Sequence, residues 1–121
     1  MPTMNSVIAY VDSVRPNAYD EAFKCAHISK LDGIISKEVM QYDEAITYSI
    51  PEDADTELLV QAPYDDIYSL YVMAMIDFAN KEYGSYNNAM RMFNDRFESF
   101  KKDYIRSNLP PSAENFRNVM G

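Results

Sequence analysis

PYDDIYSLYVMAMIDFANKEYGSYNNAMRMFNDRFESFKKDYI, residues 63–105, is the stretch whose reading decides the fold. Pro63 followed by Tyr64, Asp65 and Asp66 has the form of a helix start. Proline loses nothing in a first turn, and carboxylates suit the positive end of the helix dipole. The helix is expected to run to about Tyr83 and to close at Gly84, the residue type that takes the left-handed C′ position without penalty. Ser85 can cap a second helix at once. Along that helix Tyr86, Met90 (or Ala89), Phe93, Phe97, Phe100 and Tyr104 recur at alternating intervals of four and three, a heptad-like seam. So short a linker makes the two helices an antiparallel hairpin. The opposite face carries Arg91, Asp95, Glu98 and Lys102, a ladder of exposed charge pairs worth about 0.2–0.5 kcal/mol each.

Working outward, Thr3 or Asn5 can open a short helix that ends by Pro16. Asn17 looks like the N-cap of the next helix, with Asp20 in the capping-box position. From Ala18 to Met40, the residues Phe23, Ile28, Leu31, Ile34, Ile35 and Val39 place one apolar stripe on a helix. Gly33 interrupts it at a cost of about 1 kcal/mol, which suggests a neighbouring element packing close there. Ala45 to Ile50 alternates with strand period, and Glu57 to Val60 can return as a second strand. A small hairpin or an extended arm over about 45–61 fits best, and two strands alone would have to lean on the helices or on a neighbouring subunit. Asn108 to Pro111 breaks helix, and Ser112 can cap a last turn through Met120. The expected fold is mainly α: one small domain of about four to five helices, with an antiparallel helical hairpin and one short β-hairpin or extended arm.

Composition bounds the function. A chain of 121 residues with 47% apolar and 25% charged side chains fits a single globular domain. The net charge of −8 argues against sequence-specific nucleic-acid binding, which needs a basic stripe to neutralise phosphates. The most apolar run, Leu70 to Ala79, is broken by Asp77 and is shorter than the roughly 20 residues a bilayer requires, so no membrane partner is expected. Met1 to Asn5 shows no basic-then-apolar leader, and cytosolic synthesis is the expectation.

The residues offer no catalytic, cofactor-binding or metal-ligating set. With one cysteine and one histidine in the chain, neither a zinc site nor a second ligand pair can be assembled. Cys25 and His27, two residues apart on a helix, point about 200° from each other and cannot form a nucleophile–base pair, so Cys25 reads as a small core residue. Asp53, Asp55 and Glu57 alternate like the first ligands of a Ca²⁺ loop. The glycine that loop requires is Leu58, however, and its terminal glutamate is Tyr64. Gly33, Gly84 and Gly121 are isolated and build no phosphate loop.

Tyrosine is the outlying feature, with ten in the chain and no tryptophan. Tyr64, Tyr68, Tyr71, Tyr83 and Tyr86 cluster on the helical hairpin, joined by Met73, Met75, Met90 and Met92. Tyrosine rims a core with its hydroxyl in water, and it is also favoured at protein interfaces alongside methionine. The helix from Ile67 to Ala79 is apolar over more than one face, so part of this surface, Met75 included, is expected to meet another chain.

Several segments carry a resemblance. Ala62-Pro63-Tyr64-Asp65-Asp66-Ile67-Tyr68, Ile76-Asp77-Phe78-Ala79-Asn80-Lys81-Glu82-Tyr83, Tyr86-Asn87-Asn88-Ala89-Met90 and Met92-Phe93-Asn94 resemble structural proteins encoded near portal and capsid genes in phages and prophages of Gram-positive bacteria. Pro16-Asn17 and the helix Ile28 to Ile35 are similar to the same group, so the resemblance covers roughly residues 7–106. It implies a non-enzymatic head–tail connector (adaptor or head-completion protein). Such a subunit forms a ring of identical copies, twelvefold on the portal. Its implied partners are the portal protein and a downstream head-completion or tail protein, in the bacterial cytoplasm during assembly and then in the virion neck. By that analogy Ile46 to Val60 would be an arm reaching a neighbour, with Tyr48, Ile50 and Leu58 in the interface. The acidic charge would flank a DNA channel. Residues 108–121 would be a docking tail, anchored by Phe116, Val119 and Met120 at helical spacing. The competing reading is a small acidic helical binding module that works as a monomer or dimer.

Overall fold

A computed structural model of the chain describes residues 2–108. The protein is mainly helical: α1 (Met4–Val14), α2 (Glu21–Ile34) continued by a π-helical turn (Ile35–Val39), α3 (Asp66–Ala79) and α4 (Tyr83–Asn108). Thr3 opens α1 with a capping box in which its hydroxyl accepts from the Ser6 amide and Ser6 answers the Thr3 amide. α2 begins later than its stripe suggests. Asp20 is the N-cap, accepting from the Phe23 amide, while Asn17 forms a local turn with the Tyr19 amide.

α3 lies at the centre, most extensively packed on α4 and also flanked by α2 and α1. Ile67, Tyr68, Val72, Ala74 and Ile76 are fully buried. Much of the many-sided apolar character of this helix is therefore absorbed within the chain, and Phe78 near its end stays exposed. Met75 is half-buried. The α4 seam behaves as its spacing implies: Phe93 and Phe100 are buried, and Met90, Phe97 and Tyr104 pack against the core. Arg96 clamps the far end of the hairpin, donating to both Asp66 carboxylate oxygens and to the Pro63 carbonyl, with its guanidinium 5.3 Å from the centre of the Tyr64 ring. The exposed ladder pairs differently from its expected register: Glu98 bonds Lys101, and Arg106 bonds Asp103.

The expected β-hairpin is absent among the described residues. Residues 41–65 form an irregular strap whose only bridge joins Thr3 to Glu57. The strap lies on a face of α2 made of Ser29, Gly33 and Ser36, small residues at helical spacing. Ser29 Oγ accepts from the Tyr48 amide at 2.9 Å and Ser36 Oγ from the Ile46 amide at 3.0 Å. A Cβ at Gly33 would stand 3.3 Å from the Ile46 carbonyl oxygen, so the close packing expected at this glycine is present. Hydroxyls of α2 thus satisfy amides that a partner strand would otherwise have taken.

The α3–α4 turn also departs from expectation. α3 ends at Ala79, Lys81 takes the left-handed conformation (φ 62°), and Gly84 already lies inside α4. A Cβ at Gly84 meets nothing within 4 Å. Gly84→Ala is therefore expected to stabilise the fold by about 0.5–1 kcal/mol, read as a higher urea midpoint at unchanged slope. A loss of that size would instead place the turn at Gly84.

Candidate functional site

Three polar or aromatic constellations stand out from the helical frame. The first is buried. Asp32 continues the core stripe of Ile28, Leu31 and Ile35 on α2, and it is wholly inaccessible. Its Oδ2 accepts from the Tyr48 hydroxyl at 2.6 Å and the Leu59 amide at 3.1 Å, and its Oδ1 accepts from the Tyr68 hydroxyl at 2.6 Å. Tyr68 in turn accepts from the Val60 amide at 2.8 Å. One carboxylate thus ties α2, α3 and both ends of the strap. Burial lifts the Asp32 carboxyl above its ordinary value, and the three donors pull it only partly back. Burial first, then Asp32 itself, pushes both phenols upward, so they remain proton donors.

The second is Arg15 with Asp77. Arg15, at the end of α1, donates to Asp77 Oδ1 on α3; Asp77 is fully buried, and its Oδ2 has no donor among the described residues. Beside it, the Tyr19 hydroxyl donates to Asn80 at 2.8 Å.

The third is on the surface, at the tip of the α3–α4 hairpin. Phe78 and Tyr83 are each more than half exposed (54% and 53%). Phe78 meets Tyr83 edge-on at 5.9 Å and Tyr86 at 5.2 Å. Exposed rings that touch one another form a patch, whereas single exposed apolar residues need no explanation.

The residues singled out from sequence now separate. Tyr83 and Tyr86 belong to the tip. Tyr68 and Leu58 are buried within the chain (0% and 2% exposed) and present no surface to a partner. Tyr48, Ile50, Tyr64 and Tyr71 are half-buried and packed against the core. Tyr48 is held by Asp32, so the proposed arm is folded onto its own chain. Tyr64 meets Phe100 edge-on, and Tyr71 lies between His27 and Phe93. Phe116, Val119 and Met120 fall outside the described residues. The reading missed Asp32, Arg15 and Phe78. An acid at a core position of an apolar stripe was the available signal for Asp32.

Cys25 is a buried residue, its sulfur 3.8 Å from the Tyr48 carbonyl, and burial, then Asp53, pushes its thiol up, the wrong direction for a nucleophile. His27 packs edge-on against Phe23, and burial, then Lys30, lowers its pKa, which favours the neutral ring. Among the described residues no group of three or more His, Cys, Asp or Glu side chains could hold a metal ion, and no helix is long and apolar enough to cross a membrane. No family model matches the chain, and neither a curated protein nor a solved structure matches it.

Proposed function

We propose that the protein is a structural assembly subunit without catalytic activity, a head–tail connector of the kind its sequence resembles, acting through contacts with copies of itself and with a portal ring. The observation that supports this reading is the aromatic cluster in which the exposed Phe78 meets the exposed Tyr83 and the half-buried Tyr86. Tyrosine and phenylalanine are enriched where protein surfaces meet, and anchors of this type carry most of the energy of an interface. The charge distribution is compatible with a channel wall. Between Lys37 and Lys81 the chain has no Lys or Arg and ten carboxylates, of which all but the buried Asp77 are at least partly exposed, and such charge repels phosphates.

One observation favours the second reading, a self-contained acidic binding module. The strap is latched to its own core by Asp32, Ser29 and Ser36 and does not project. Co-purification with a cognate portal protein separates the two. Retention on the portal ring at a fixed copy number is expected for a connector. A chain that stays monomeric alone and in mixtures with that portal overturns the connector reading.

A further inference from the structure

The tip cluster lies at one end of α3, and a groove lies at the other. α1 runs alongside α3 in the same direction, since Arg15 at its end meets Asp77 near the end of α3. Beside the starts of the two helices lies a groove of about 330 Å³, lined among others by Val7, Tyr10, Ser69, Asp65 and Asp66. A cavity of about 150 Å³ takes one benzene ring, so this groove has room for an aromatic side chain and the stem of a lysine. Tyr10 on its rim is 54% exposed. Groove and tip are separated by the length of α3, 14 residues or roughly 20 Å.

We propose that the hairpin tip of one copy seats in the α1–α3 groove of the next, giving a head-to-tail self-contact. This rests on the assembly reading above and names the two surfaces that would carry it. Charge selects a second copy as the occupant. Asp65 and Asp66 both border the groove; Asp66 is paired with Arg96, while Asp65 makes no ion pair among the described residues. The tip carries Lys81, an exposed residue with a left-handed backbone in the turn between Phe78 and Tyr83. Two copies of a chain of charge −8 repel in most orientations. Seating Lys81 beside Asp65, with Phe78 against Tyr10 and Val7, sets opposite charges together and covers the most exposed ring of the tip. Glu82 shares the turn and must face away from Asp65. Because the two surfaces differ, the contact is heterologous and closes into a ring or extends into a filament.

Cysteine cross-linking of the full chain tests this, since Cys25 is buried and the added thiols are the accessible ones. A Ser69→Cys, Glu82→Cys double variant, oxidised at millimolar concentration, is expected to give a ladder of covalent oligomers. The two single variants should cross-link only when mixed. Adding Phe78→Asp, or Lys81→Glu, should weaken the ladder by roughly tenfold or more, and Lys81→Glu should be rescued by Asp65→Lys. Circular dichroism checks that each variant stays helical. Dimers from Glu82→Cys alone mean tip-to-tip pairing and overturn the proposal. So does a ladder that ignores Phe78→Asp, one abolished instead by removing residues 109–121, or no ladder at all. If light scattering shows oligomers that Phe78→Asp does not change, self-assembly stands and only this contact falls. A chain that is monomeric both alone and with the portal removes both readings.

Discussion

Asp32→Ala is expected to cost about 3–5 kcal/mol, enough to unfold much of the population of a domain whose whole stability is of order 5–15 kcal/mol. The cost follows from the donors left behind. Three of them, the Tyr48 and Tyr68 hydroxyls and the Leu59 amide, point at one carboxylate. Tyr68 is fully buried and cannot turn to water. Hydrogen bonds to a charged acceptor contribute about 1.5–3 kcal/mol each, and a buried donor left unpaired costs about 1–3 kcal/mol. Tyr68→Phe should cost less, about 1–3 kcal/mol, because Asp32 keeps two donors while the Val60 amide loses its acceptor. Urea unfolding of the two variants side by side gives the comparison. A loss below about 1 kcal/mol for Asp32→Ala would mean that the strap is held by its apolar contacts and the carboxylate is incidental.

The same residue sets a pH dependence of unusual sign. Burial raises the Asp32 carboxyl above its ordinary 3.8, and the bonds from Tyr48, Tyr68 and Leu59 do not cancel the rise. The folded chain therefore holds that proton more tightly than the unfolded one. The Asp32 contribution is largest below the unfolded value and falls as pH rises through the raised one. Asp12 runs the other way: slight burial raises it, bonds from Lys24 and Asn17 outweigh that, and its net value is lowered. Its contribution is present above the ordinary value and is lost as pH falls through the lowered one. Urea midpoints across the mildly acidic range for the wild type and Asp32→Asn should converge toward neutral pH, the wild type losing its relative advantage as Asp32 ionises. A difference that grows with pH would contradict this.

Helix content and the hairpin were legible because they depend on local periodicity. The Tyr86-to-Tyr104 seam needs only a helix and a partner, and α3 supplies the partner. The misplacements have a common origin in tertiary partners that spacing does not reveal. Ala45 to Ile50 alternates as a strand would, yet its amides bond Ser29 and Ser36 on a helix, so the period describes an extended chain without naming its neighbour. Gly84 has the residue type of a helix stop, but Lys81 takes the left-handed turn, with its amide on the Phe78 carbonyl and that of Glu82 on the Asp77 carbonyl. Among the candidate interface residues, tyrosine type alone could not sort Tyr68 from Tyr83. One has its hydroxyl on a buried carboxylate and the other stands in solvent, and that distinction arises only when Asp32 on α2 is brought beside α3.

Phe93→Ala and Phe78→Ala should differ sharply, although both remove a phenyl ring from the same hairpin. Phe93 is 5% exposed, 5.2 Å from the Tyr71 ring and stacked at 5.3 Å on Phe97. Truncating it leaves a cavity between α3 and α4 that the neighbouring rings cannot fill, and the expected loss is about 3–5 kcal/mol. Phe78 is 54% exposed, and its truncation removes only edge contacts with Tyr83 and Tyr86. A surface change of that kind is expected to stay within about 0.5 kcal/mol in the monomer. Thermal unfolding at a concentration where the protein is monomeric makes the comparison free of assembly. A large loss for Phe78→Ala would show that the tip cluster holds the turn of the hairpin together, and its exposure would then be no argument for a partner. A small loss leaves Phe78 and Tyr83 in solvent beside the half-buried Tyr86 with little to do for the fold, which is the condition under which a contact surface becomes their remaining physical explanation.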